Sequence, residues 1–103
     1  MKVGILGLGL IGGSLARAYA KAGHTVFVCE KDKDMLSFAE LTGAVHGQLE
    51  ERNIGVCDLI LLAIYPDGSA AWLEHNGHLI SKEALAGLLR YKNRDLRPVL
   101  PGS

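Results

Sequence analysis

GILGLGLIGGSLARAYAKAGHTVFVCE, residues 4–30, carries the information that decides how this chain folds. Glycine stands at 7, 9, 12 and 13, between an apolar run and a helix-like pattern. The run KVGIL, residues 2–6, is short, apolar and stopped by glycine, as expected of a strand buried on both faces. After the glycines, small or apolar residues fall at 11, 15, 16, 18, 19, 20 and 22, with Ile11, Leu15 and Tyr19 in one stripe and Arg17 and Lys21 opposite. This spacing predicts an amphipathic helix closed by Gly23. TVFVC, residues 25–29, is rich in β-branched and aromatic side chains, and it predicts a second strand that delivers Glu30 at its end.

Working outward, residues 33–42 repeat a helical pattern that stops at Gly43. Residues 44–55 are less periodic, with a short strand expected near Val45. LILLAI, residues 59–64, is the most apolar run and predicts a buried strand, ending in a turn at Pro66, Asp67 and Gly68. Strands alternating with helices at these intervals imply parallel pairing through right-handed crossovers. The expected fold class is α/β, a Rossmann-like doubly wound parallel sheet truncated to its first half. Residues 1–85 would form this half-domain and residues 86–103 a basic tail.

The strand–glycine–helix order has a chemical consequence. Backbone N–H groups and the positive end of a helix dipole point outward together at such a turn, which suits an anion. Gly7 permits the tight turn, Gly9 removes a side chain that would block a diphosphate, and Gly12 lets the helix lie close to the strands. Glu30, 18 residues beyond Gly12, can accept hydrogen bonds from the ribose hydroxyls of an adenosine. NAD is the expected cofactor, because a carboxylate repels a 2′-phosphate. Lys31 and Lys33 keep NADP open, although charges alternating with Asp32 and Asp34 also suit a solvated loop.

GLGLIGGSLARAYAKAGHTV, residues 7–26, goes beyond the generic glycine fingerprint, and it resembles the start of the prephenate dehydrogenases. CDLILLAIYPDG, residues 57–68, is similar to the same family's fourth strand and following loop. The resemblance runs from residue 1 to about 85. It implies that Gly7, Leu8, Gly9, Leu10, Ile11 and Gly12 hold the pyrophosphate, with Glu30 at the adenosine ribose; Lys31, next to Glu30 and able to turn toward a phosphate, is a further expected cofactor contact. Ala63, Ile64, Tyr65 and Pro66 would border the far half of the cofactor. Ser14 would add a hydroxyl near the phosphates or serve as a small residue in the first helical turns. The family oxidises and decarboxylates prephenate or arogenate in tyrosine biosynthesis, using a histidine and arginines on later strands and in a helical domain. None of His24, His46, His75 or His78 matches that catalytic position, so the chain is expected to bind cofactor without catalysing the reaction alone. The alternative is a stand-alone nucleotide-binding or self-associating module.

Composition narrows the partners further. Eleven basic and eleven acidic residues leave no global field for nucleic acid or an anionic membrane. The apolar run 59–65 is far short of the roughly 20 residues that span a bilayer, and residues 1–6 lack the features of a secretory signal. Cytoplasmic residence is the expectation. Cys29 and Cys57 have no metal-ligand spacing and read as buried free thiols; no metal site is expected. Four of the eleven basic residues crowd into 90–97, and Pro98 and Pro101 preclude a long helix beyond them. A short helix over 82–91 followed by a mobile end is expected. The tail is compatible with a changed reading frame or with natural divergence ending in a Gly102–Ser103 cloning remnant. A sheet lacking its second half would expose an edge beside the fourth strand, and homo-oligomer formation is expected there.

Overall fold

The computed structural model describes residues 1–63, 66–86, 89–92 and 95–98. Strands β1 (Lys2–Leu6), β2 (Thr25–Cys29), β3 (Gly47–Gln48) and β4 (Leu59–Leu62) run parallel, with β1 between β2 and β4. Helices α1 (Leu10–Lys21) and α2 (Lys33–Leu41) make the first two crossovers, and the short α3 (Glu51–Ile54) precedes β4. Beyond β4 come α4 (Pro66–Asn76), a 3₁₀ turn (Gly77–Leu79) and α5 (Lys82–Ala86).

Side-chain alternation along the strands builds two cores, one on each face of the sheet. Val3, Ile5, Val26, Val28 and Leu61 meet Ala16 of α1 and Leu36 and Ala39 of α2. Leu6, Ile60 and Leu62 point the other way, toward Ile54 of α3 and Ala84 of α5, with Trp72 and Leu73 of α4 packed alongside. A sheet covered on both faces explains why its strands read as continuous apolar runs. The Asp32 carboxylate caps α2 by accepting from the amides of Asp34 and Met35, at 3.0 and 3.1 Å. The Ser81 hydroxyl donates to the Cys57 carbonyl at 2.9 Å and accepts from the Ala84 amide at 3.1 Å, tying the start of α5 to the approach to β4.

The structure departs from expectation in three places. The strand expected near Val45 forms at Gly47–Gln48, because Val45 is buried in the core while the backbone of β3 pairs with Phe27 and Val28. The turn expected at Pro66 is the start of α4. Proline has no N–H to donate and a fixed φ, so it suits a first helical position, where the amide needs no partner. The helix expected over 82–91 stops at Ala86, and β5 (Leu89–Lys92) pairs parallel with β4 while β6 (Asp95–Pro98) returns antiparallel. The reason is the row of ladder groups on β4, which a neighbouring strand satisfies. The edge expected to drive self-association is therefore paired within the chain, and Pro98 lies on the outer strand, where a missing donor is tolerated.

Both cysteines are free, Cys57 buried and Cys29 half-buried. Burial, followed by the charge of Asp58, pushes the Cys57 thiol up to about 11 against an opposing effect of Lys2. Its folded pKa lies above its ordinary value, so the stability owed to the neutral thiol is intact below about pH 9 and is lost as pH rises toward 11. Urea midpoints should therefore fall less between pH 8 and 10.5 for Cys57→Ala than for the parent. An equal fall in both would show that the thiol does not contribute.

Candidate functional site

The glycine turn sits at the carboxyl end of β1, between β1 and α1, with the end of β2 on one side and the end of β4 on the other. Gly7 has φ +88° and donates to the Cys29 carbonyl at 2.8 Å, which fastens the turn to β2. A Cβ on Gly12 would overlap the Gly7 carbonyl oxygen, lie 2.8 Å from its carbon and reach 3.4 Å from the Ala63 Cβ. Absence of that Cβ lets α1 start directly against the turn and the end of β4. Ala63, half-buried, donates its amide to Leu6 at 2.9 Å and so forms part of the same junction.

Gly9 differs in kind. It is exposed, and a Cβ built on it meets nothing within 4 Å. No neighbouring atom excludes a side chain there; the backbone, at φ 13° and ψ −165°, lies outside the regions usual for residues with a Cβ, and the open space beside it leaves room for a ligand to approach. The first intrahelical bond of α1 runs from the Gly13 amide to the Gly9 carbonyl at 3.0 Å, with the Leu8 carbonyl shared as acceptor. Residues 10–12 thus contribute the orphan amides of a helix start.

Glu30 closes the site from β2. One carboxylate oxygen accepts the Leu8 amide at 2.8 Å and the other accepts the Asp32 amide at 3.0 Å. Each oxygen has a second lone pair, so these bonds orient the carboxylate without exhausting it. Leu8 thus anchors the loop: its side chain is buried and its amide is committed to Glu30. This contact joins two residues 22 apart, and no spacing rule reveals it.

Lys31 is exposed beside Glu30. Leu10 and Ile11 form the opening backbone of α1, Pro66 opens α4, and Ile64 and Tyr65 lie outside the described residues. The histidines of the first half have structural partners. The His24 Nδ1 lies 2.9 Å from the N-terminal amine, and the His46 Nδ1 accepts the Val26 amide at 3.0 Å. Among the described residues no group of three or more His, Cys, Asp or Glu could hold a metal ion, and no helix is long and apolar enough to cross a membrane.

A family model described as NADP oxidoreductase coenzyme F420-dependent matches residues 2–84. The chain belongs to this family. The match covers the segment that resembles prephenate dehydrogenases, and it includes the whole of the glycine turn, Glu30 and β4. No curated protein matches the sequence at a significant level. Among solved structures, arogenate dehydrogenase from Synechocystis superposes with TM-score 0.78 at 24% identity, covering 89% of this chain and 33% of that one. (S)-3-Hydroxybutyryl-CoA dehydrogenase from Ralstonia eutropha follows with TM-score 0.71 at 15% identity, covering 88% and 40%. A Myxococcus stipitatus imine reductase variant, solved in complex with NAD+, gives 0.70 at 24% identity, covering 88% and 31%. The shared feature is the Rossmann-like nucleotide-binding fold of dehydrogenases and reductases. This family member spans about a third of the length of the solved enzymes it matches.

Proposed function

We propose that the chain is the dinucleotide-binding part of an NAD-dependent dehydrogenase acting on prephenate or arogenate. Residues 1–85 are its binding unit. Bound nicotinamide would accept a hydride from the substrate; the residues here hold and orient the cofactor. The amides of Leu10, Ile11 and Gly12 receive the pyrophosphate, Gly9 gives it room, and Glu30 takes the ribose hydroxyls. Ala63, Ile64, Tyr65 and Pro66 border the nicotinamide half.

The observation that carries this reading is the open space beside Gly9. NAD is favoured over NADP because the Glu30 carboxylate is held in place by two amides, where it would repel a 2′-phosphate. The family description names NADP, and Lys31 and Lys33 supply the charges that such a cofactor would use. The substrate assignment rests on the resemblance of residues 7–26 and 57–68 to prephenate dehydrogenases.

Calorimetric titration with NAD, NADP and ADP-ribose tests the reading. NAD and ADP-ribose should bind with similar affinity, and NADP at least ten times more weakly. Gly9→Ala, whose Cβ meets no atom within 4 Å, should weaken NAD at least tenfold, a change of about 1.4 kcal/mol. A parent that binds none of the three ligands, or a Gly9→Ala variant that binds normally, would refute the assignment.

A further inference from the structure

The cleft between α1 and α2 lies beside the dinucleotide site and shares Leu8 and Gly9 with it. It encloses about 590 Å³, within the range of small-molecule sites. Gly13 and Arg17, one helical turn apart, line it from α1. Met35, Phe38 and Ala39 of α2 and Thr42, which caps its C-terminal end, line it from the other side, at the i, i+3, i+4, i+7 spacing of a single helix face. Glycine at 13 keeps the α1 wall set back, so the two helices face each other across a gap.

Two features of this cleft point to the chemistry of its occupant. Phe38 is 69% exposed and Met35 40% exposed, so large apolar surface borders an opening with a floor of Ala39 and Ala44. Arg17 is the sole charged residue lining the cleft, and its guanidinium has no ion pair or hydrogen bond among the described residues. An apolar trough with one unpaired cation is complementary to a molecule with an apolar body and an anionic head.

We propose that this cleft binds a small amphipathic carboxylate as a free molecule. Its apolar body lies against Met35, Phe38 and Ala39, and its carboxylate pairs with the Arg17 guanidinium, whose planar donors match two carboxylate oxygens. A neutral molecule of the same shape leaves the cation unpaired, and an ammonium is repelled by it. Leu8 and Gly9 are common to this cleft and the dinucleotide site, whereas Arg17, Met35 and Phe38, which would hold the carboxylate and its apolar body, belong to the cleft alone.

The test uses the full chain without nucleotide. Decanoate, decanol and decyltrimethylammonium are titrated below their aggregation limits and followed by amide chemical shifts and calorimetry. Decanoate should bind saturably at one site, shifting the Gly13, Ala39 and Thr42 amides, with decanol weaker and the ammonium weakest. Arg17→Gln should weaken decanoate about tenfold and bring it level with decanol, since the charged hydrogen bonds are lost. Phe38→Ala should weaken both decanoate and decanol about fivefold through lost apolar contact. Both side chains are exposed, so the variants should keep the parent melting curve. Absence of saturation, equal affinity for decanoate and decanol, or indifference to Arg17→Gln would overturn the proposal. So would sedimentation showing a Phe38-dependent dimer with the cleft closed to decanoate. NAD titration of the same samples reports the other site separately.

Discussion

Gly12→Ala should cost about 3–4 kcal/mol of stability, at the upper end of single substitutions, and abolish dinucleotide binding. The added Cβ has no flexible neighbour to displace. It would run into the Gly7 carbonyl, part of a main chain held by the Gly7 amide bond to Cys29. Relief would require α1 to lift from the turn, which would pull Ala16, Leu15 and Tyr19 from the core under the sheet. For a domain of this size each kcal/mol shifts the melting temperature by roughly 4–8 °C, so a fall of about 12–32 °C is expected. A melt within a few degrees of the parent would contradict the close approach. Comparison with Gly9→Ala, whose Cβ meets no atom within 4 Å, separates the glycine that close packing requires from the glycine that borders open space.

Glu30→Ala should weaken NAD about 100-fold, the loss of two or so hydrogen bonds to a charged group at 1.5–3 kcal/mol each, reduced by solvent access. Two effects act together. The ribose loses its acceptor, and the Leu8 and Asp32 amides lose the carboxylate that joins the glycine turn to the start of α2. NADP should lose less than NAD, because the repulsion toward a 2′-phosphate disappears with the charge. Glu30→Gln keeps one amide acceptor and should fall between the two. The measurement is the NAD to NADP affinity ratio across the three proteins. An unchanged ratio would remove Glu30 from cofactor choice, and an unchanged NAD affinity would remove it from the site.

The glycine turn, α1 and β2 were legible because their signals are local. Periodicity of 3.6 over residues 10–22, a positive φ at Gly23 and β-branched residues at 25–29 each act within a few positions. The start of α4 was not legible, since Pro66, Asp67 and Gly68 favour a turn and a first helical turn almost equally. The fifth strand was hidden for a different reason. Residues 89–92 carry no strong strand pattern of their own, and they pair because β4 presents a ladder beside them.

Local backbone preference and side-chain periodicity, both written in the order of residues, dictate the β–α–β opening, its three essential glycines and the acid at position 30. Long-range contact supplies the rest. The bond from Leu8 to Glu30, the different surroundings of Gly9 and Gly12, and the gap between α1 and α2 arise only when segments remote in the chain are brought side by side. Those distances depend on how two cores fill opposite faces of one sheet, and packing of that kind has no signature in any single stretch of residues.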